Sequence, residues 1–491
     1  MGTSMLIQPQ PGSLRLVEDA EEEIFHLFTN LKEQGRHGLG YATVHSDRIT
    51  VQLHSASAKG GDEMGSRPAG TSRGHRGQAL QEECTFQFPS GTITIGAAED
   101  GDEDEEGEGD VTHSETTRRK TGAVKKQNVT VSRPKKLQRR TTSTAPSSAT
   151  DGDNHKVVLR QDFTSFRTVA GNTGSVAWRA SMALAALLIN DLKLGADNKA
   201  NQASLLNSNA LLSDEGVQCQ PRSWTVLELG AGTGVLSSLV LTHPAWRSLQ
   251  RRGSSASTLR WIATDQGEVL ELLRRNVNST NRRLARHDVD AHVSKIELVA
   301  RDLDWVEVLD LVKRGDERAQ RRLKDLKRSI LARDQDALEV SSSGSDDEDQ
   351  QQPDLILAID CIFNPALFPA LLATLALFSA PRSPSSTTTL TFPPTQTQVL
   401  VACELREVDM MRAFLEAWCG GSTVYLGEAG KGGRRGAQGG PAPSSVGSHP
   451  GWIIHGWEGG RREEDDEEQE GVSEGLGPGF AVWLATPRSN F

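Results

Sequence analysis

The stretch SWTVLELGAGTGVLSSLVL at residues 223–241 leaves little choice of local fold. Thr225, Val226 and Leu227 are strand formers, the run Gly230–Gly234 cannot continue a strand, and Val235–Leu241 resumes with helical apolar spacing. A strand that passes through a glycine turn into a helix is a binding device. The glycines let backbone come close to a ligand, and the helix N-terminus offers it unpaired amides. Gly230, Gly232 and Gly234 follow the spacing G-x-G-x-G rather than the G-x-G-x-x-G of dinucleotide sites, so the third glycine arrives one residue early. The turn therefore suits a ligand that needs amides and close approach more than an anion cradle for a pyrophosphate.

This junction opens a periodic series. Strand patterns occur at 224–229, 259–265, 295–303, 354–363, 397–407, near 424 and at 479–486. Helical patterns such as GEVLELLRRNVNSTNRRL and PALFPALLATLALFS lie between them. Strands alternating with helices predict an α/β fold with a parallel sheet, whose ligands bind at the carboxyl ends of the strands. Asp265 ends the second strand of the series, where its carboxylate can accept hydrogen bonds from both hydroxyls of a ribose or can cap the next helix, and the two roles are compatible.

Composition limits how much of the chain can be core. Of 491 residues 36% are apolar and 5% aromatic, low values for a chain that is globular throughout. Residues 1–57 read as a small N-terminal extension with a short amphipathic helix, AEEEIFHLFTNLKE, and a strand, RITVQLHSA. Residues 58–155 read as a disordered linker: nine acidic residues fall between Glu99 and Asp110 and ten Lys/Arg between Arg118 and Arg140. The basic block suits a nuclear-localisation or RNA-contacting tract, but a solvated charge run is the preferred reading. The remainder, 156–491, is one domain with low-complexity insertions at 341–352, 427–451 and 459–471. Five cysteines without CxxC spacing support neither a zinc site nor a disulfide framework, and point to a reducing compartment, cytoplasmic or also nuclear. No apolar run reaches the length of a membrane span, and the N-terminus carries no signal pattern. The net charge of −11 argues against general nucleic-acid wrapping and suits basic protein partners.

Four motifs in order extend the reading. NTGSVAWRASMAL contains Trp178, ELGAGTG holds the glycine turn, LDWVE contains Trp305, and AIDCIFNPALFPALL contains Ile359, Asp360 and Phe363. On these motifs the chain resembles the seven-strand, class I S-adenosylmethionine-dependent protein-lysine methyltransferases, most closely the fungal ribosomal lysine N-methyltransferase 5 family. The resemblance covers 156–310, 354–426 and 479–486. It implies a Rossmann-like seven-stranded sheet, S-adenosyl-L-methionine as cofactor, and no metal. Trp178, Glu228, Gly230, Ala231, Gly232, Asp265, Trp305 and Ile359 would hold that cofactor, with Asp360 and Phe363 at the acceptor side. The substrate it implies is a lysine of a ribosomal protein, by resemblance the large-subunit L1 protein, with possible ribosome association, a monomeric chain, and neither DNA nor membrane as partner. Where the family shows Tyr, this chain has Phe363, and its two tyrosines, Tyr41 and Tyr425, lie elsewhere. Phenylalanine keeps an aromatic wall and lacks the hydroxyl.

Methyl transfer from a sulfonium is an in-line displacement, so the protein must chiefly bring the nucleophile close and keep it partly dry. A lysine amine, with an ordinary pKa of about 10.4, must lose a proton before it attacks. Asp360 is placed to hold that amine and receive or relay the proton. Glu404 in CELRE is a second candidate, although its pairing with Arg406 reads first as a surface ion pair. Trp178 and Trp305 also suit ordinary core positions, and only the order of the motifs lifts them above that. Two alternatives stand beside the lysine methyltransferase: a nucleic-acid methyltransferase, invited by Asn364-Pro365, and a binding protein on an altered methyltransferase fold.

Overall fold

The run Gln398–Glu404, QVLVACE, is buried at every position because its two faces enter different cores. Val399, Val401 and Cys403 join one apolar cluster, and Leu400 and Ala402 join the other. This is the two-residue alternation of a strand covered on both sides. The computed structural model describes residues 6–7, 9, 13–29, 40–41, 44–55, 83–98, 154–169, 172–196, 205, 223–246, 248, 258–287, 296–333, 352–379, 396–420, 451–458, 476 and 479–488.

The strands, in chain order, are β1 (Leu14–Leu16), β2 (Arg48–Ser55), β3 (Glu83–Phe88), β4 (Gly91–Ala97), β5 (Asn154–Arg160), β6 (Ser223–Leu229), β7 (Thr258–Asp265), β8 (Ile296–Asp302), β9 (Leu355–Ile359), β10 (Gln398–Glu404), β11 (Trp452–Trp457) and β12 (Phe480–Pro487). An eight-stranded sheet runs β1-β11-β12-β10-β9-β6-β7-β8, and a four-stranded sheet runs β3-β4-β2-β5. Strands β10, β9, β6, β7 and β8 are mutually parallel. Strand β12 runs antiparallel to both β10 and β11, and β1 pairs antiparallel with β11 at the edge. Helices Gly267–His287, Trp305–Arg314, Phe368–Ser379 and Val408–Cys419 lie between successive strands, as right-handed crossovers demand. The chain is thus a mixed α/β protein, as the strand–helix alternation predicts. Among the described residues no helix is long and apolar enough to cross a membrane.

Three expectations need correction. The segment 58–155 is not uniformly a linker, for residues 83–98 form the hairpin of β3 and β4, with Phe88 paired to Gly91 across a two-residue turn. Charge runs on its C-terminal side dominate the segment's composition and hide the alternation of ECTFQF and GTITIGA. Ile93 and Ile95 are fully buried in the same cluster as Met182, Leu184 and Trp224, so the small sheet shares a core with one face of the large one. Nor do residues 1–57 stand apart as an extension. Strand β1 completes the edge of the large sheet, and helix Ala20–Thr29 buries Ile24 beside Val408–Cys419. Last, β11 begins where the insertion 427–451 was expected to end, and the strand expected near 424 lies outside the described residues. The insertions at 341–352, 427–451 and 459–471 are also outside them, apart from Gln352 and Gly451.

Candidate functional site

Strand order reverses at β6: the chain moves outward through β7 and β8, then returns to β9 on the opposite side. In an open α/β sheet such a switch point leaves a crevice beyond the carboxyl ends of the strands. The glycine turn stands there. Gly230, Gly232 and Gly234 have φ of 61°, 58° and 71°, the left-handed region that glycine adopts without strain. Close approach is a second reason for them. A Cβ on Gly232 would meet the carbonyl oxygen of Gly174 at 2.8 Å, and one on Gly230 would lie 3.2 Å from the Trp305 ring. The turn is pinned by Ala231 N–H donating to Thr264 O at 2.9 Å and by Gly232 N–H donating to Asp265 Oδ2 at 2.8 Å.

A cleft of about 870 Å³, counting its open mouth, lies over this turn. Nine of the ten residues assigned above to the cofactor and acceptor sides line it: Trp178, Gly230, Ala231, Gly232, Asp265, Trp305, Ile359, Asp360 and Phe363. They come from five separate segments of the chain. Trp178 is fixed by its indole N–H, which donates to Thr173 O at 2.7 Å, and by an edge-on contact with Tyr41 at 5.7 Å between ring centroids. Trp305 begins helix Trp305–Arg314, whose N-cap Asp304 accepts from Val306 N–H at 2.7 Å. Glu228 is the exception. It lies beneath the turn, 2% exposed, with Oε2 accepting from the Trp261 indole N–H at 2.7 Å.

Three carboxyls around the turn are pushed upward by burial. Glu228 is raised to about 8, against the single opposing hydrogen bond from Trp261. Asp265 is raised to about 6, although the amides of Gln266 and Gly232 favour its charged form. Asp360 is raised to about 6 by burial, against the pull of the Arg406 guanidinium. Asp360 is also the one non-glycine residue with positive φ among the described residues, at 58°. Aspartate tolerates that conformation better than most side chains, and such strain gathers at functional positions.

The Glu404–Arg406 pair is not the surface pair that the sequence suggests. Glu404 is 8% exposed, with Oε1 3.0 Å from Arg179 Nη1, and Arg406 binds Asp360. The segment Thr173–Gly174, part of the motif expected to line the pocket, closes over Gly232, whereas Cys361, Leu303 and Thr233 were not singled out as lining residues. Gly174 carried a detectable signal, since it precedes Trp178 in the motif already singled out. Thr233 carried one too, inside the glycine turn itself. Its hydroxyl is buried and has no hydrogen-bond partner among the described residues. No cluster of three or more potential metal ligands occurs among the described residues.

The site can therefore admit a ligand against the bare backbone of the turn and the Asp265 carboxylate, cover it with indole and aliphatic surface, and present a buried acid, Asp360, in the same cleft. Fold and site define a mixed α/β protein with a ligand cleft at the sheet's switch point. No protein-family model matches the chain, and no curated protein matches it.

Proposed function

We propose that the chain is an S-adenosylmethionine-dependent protein-lysine N-methyltransferase acting on a ribosomal protein, the large-subunit L1 protein by resemblance. The observation that carries this reading is the convergence of nine residues, from five separate segments of the chain, on one cleft beside the glycine turn. The sheet supports it as well, since seven of its strands, with β1 added at the edge, are compatible with a seven-stranded Rossmann-like architecture.

The residues present fit the cofactor. The orphaned, buried Thr233 hydroxyl borders the cleft, the glycine turn leaves its backbone open to a ligand without side chains in the way, and Asp265 offers acceptors for ribose hydroxyls. Trp305 and Ile359 supply flat and aliphatic surface for an adenine. When bound, the cofactor supplies a methyl group already activated by a sulfonium. The remaining work falls to the chain. Trp178 and Phe363 line the same cleft as Asp360 and would keep an entering amine partly dry. The Asp360 carboxylate, nearly ionised at neutral pH with its value at about 6, can accept a hydrogen bond from an entering ammonium and take or relay its proton. The net charge of −11 suits a Lys-rich target.

Calorimetric titration with S-adenosylmethionine and, separately, NAD tests the cofactor step. The reading expects saturable binding of the first in the micromolar range and none of the second. Binding of NAD alone would overturn it.

A further inference from the structure

The buried acid of the cleft, Asp360, is already occupied. Arg406 Nη2 hydrogen-bonds Asp360 Oδ2 and lies 3.5 Å from Glu404 Oε2, and its guanidinium carbon sits 4.8 Å from the centre of the Trp178 ring. Two carboxylates and an indole face make the environment that an organic cation seeks. We propose that Arg406 is an internal occupant of a cation subsite formed by Asp360, Glu404 and Trp178, and that it must leave before a substrate amine can enter.

Two features separate a displaceable occupant from a structural arginine, and a third shows which segment must move with it. The first is how little of the guanidinium is used. Arginine holds carboxylates most firmly through a two-pronged fork, whereas here one nitrogen hydrogen-bonds Asp360 and only approaches Glu404, and the buried Nε has no hydrogen-bond partner among the described residues. Glu404 Oε2 likewise lacks a hydrogen-bond partner there, while Oε1 is held by Arg179. The second is position. The Asp360 side chain is 3% exposed and that of Arg406 25%, so the arginine is the more accessible partner of the pair. The third is what covers it. Gly40, at φ 82°, lies so close that a Cβ there would meet Arg406 Nη2 and Glu404 Oε2, while its neighbour Tyr41 bridges to Trp178. A chain segment distant in sequence is therefore packed on the occupied subsite. The subsite commits to a primary or guanidinium-type cation, because nothing neutral would satisfy two acids at once. This inference rests on the lysine-methyltransferase reading for its biological substrate, though not for its test.

The test is calorimetric titration of the full chain with n-butylammonium, a lysine side-chain mimic, and with n-butanol as the neutral control. Arg406→Gln is expected to bind butylammonium at least tenfold more tightly than the wild type, with butanol binding unchanged in both. Adding Asp360→Asn to that variant should abolish the gain. Should Arg406→Gln fail to fold, Arg406→Lys, which keeps a cation but holds the acids less firmly, is expected to gain at least threefold. Affinity equal to or weaker than wild type in a folded Arg406 variant would overturn the proposal, as would an equal gain for butanol. Failure of the chain to bind S-adenosylmethionine would instead sink the methyltransferase reading and leave this result standing.

Discussion

At the residue scale the account turns on buried carboxyls and on glycines that admit no side chain. The Glu228 carboxyl ionises near 4.5 when exposed and near 8 in the folded chain. Between those values the folded protein keeps a proton that the unfolded chain has lost, so this group's contribution to stability falls as pH rises from about 4.5 to about 8. Glu228→Gln removes the titration and can still accept the Trp261 N–H. Relative to wild type, the variant should gain roughly 2 kcal/mol or more between pH 5 and pH 8.5, read by urea denaturation at both values. No gain would mean that Glu228 titrates normally. Gly232→Arg places a side chain where φ is 58° and where even a Cβ meets Gly174 O at 2.8 Å. It should weaken S-adenosylmethionine binding by more than about 100-fold, or ~2.7 kcal/mol, in a titration where the far-ultraviolet circular dichroism is unchanged. Individual roles such as these were partly legible in the sequence, because Asp265 and Asp360 end strands. The Asp360–Arg406–Trp178 cluster was not, since nothing local to CELRE reveals that Trp178 and Gly40 will cover it.

Elements were read where their period stood clear of their surroundings. Strands β6, β7, β9, β10 and β12 are apolar runs bounded by turn signals, and each expected range differs from the observed one by a few residues at most. Strands β3 and β4 were lost because a hairpin of 16 residues including its flanks vanishes in the average of a highly charged segment. Helix Glu317–Leu331 went unread for a related reason. Its buried stripe of Ala319, Leu326, Ile330 and Leu331 is outnumbered by charges. The small sheet is no appendage, and that is testable at this scale. Ile93 on β4 is fully buried, so Ile93→Ala should lower unfolding free energy by roughly 2–5 kcal/mol in chemical denaturation, with a single transition. A change below ~1 kcal/mol would mean that the sheet packs loosely on the body.

At the scale of the whole molecule, the α/β class followed from alternation alone, and the cleft followed from where the glycine turn sits in the strand order. What no local pattern supplied was the closure of the N-terminal residues onto the sheet. Strand β1 pairs with β11 although 435 or more residues separate them in the chain, a contact that exists only once the fold is complete. Methyl transfer is the property that this assembly as a whole should have. The direct measurement is transfer of labelled methyl groups from S-adenosylmethionine by the purified chain to ribosomal proteins, followed by mass spectrometry of the labelled species. The account predicts label on a lysine of one ribosomal protein. It also predicts that Asp360→Ala loses the transfer while its cofactor affinity stays within about threefold, since the proposed reading puts Asp360 on the acceptor side. Label in RNA, no label despite cofactor binding, or full activity in Asp360→Ala would contradict it.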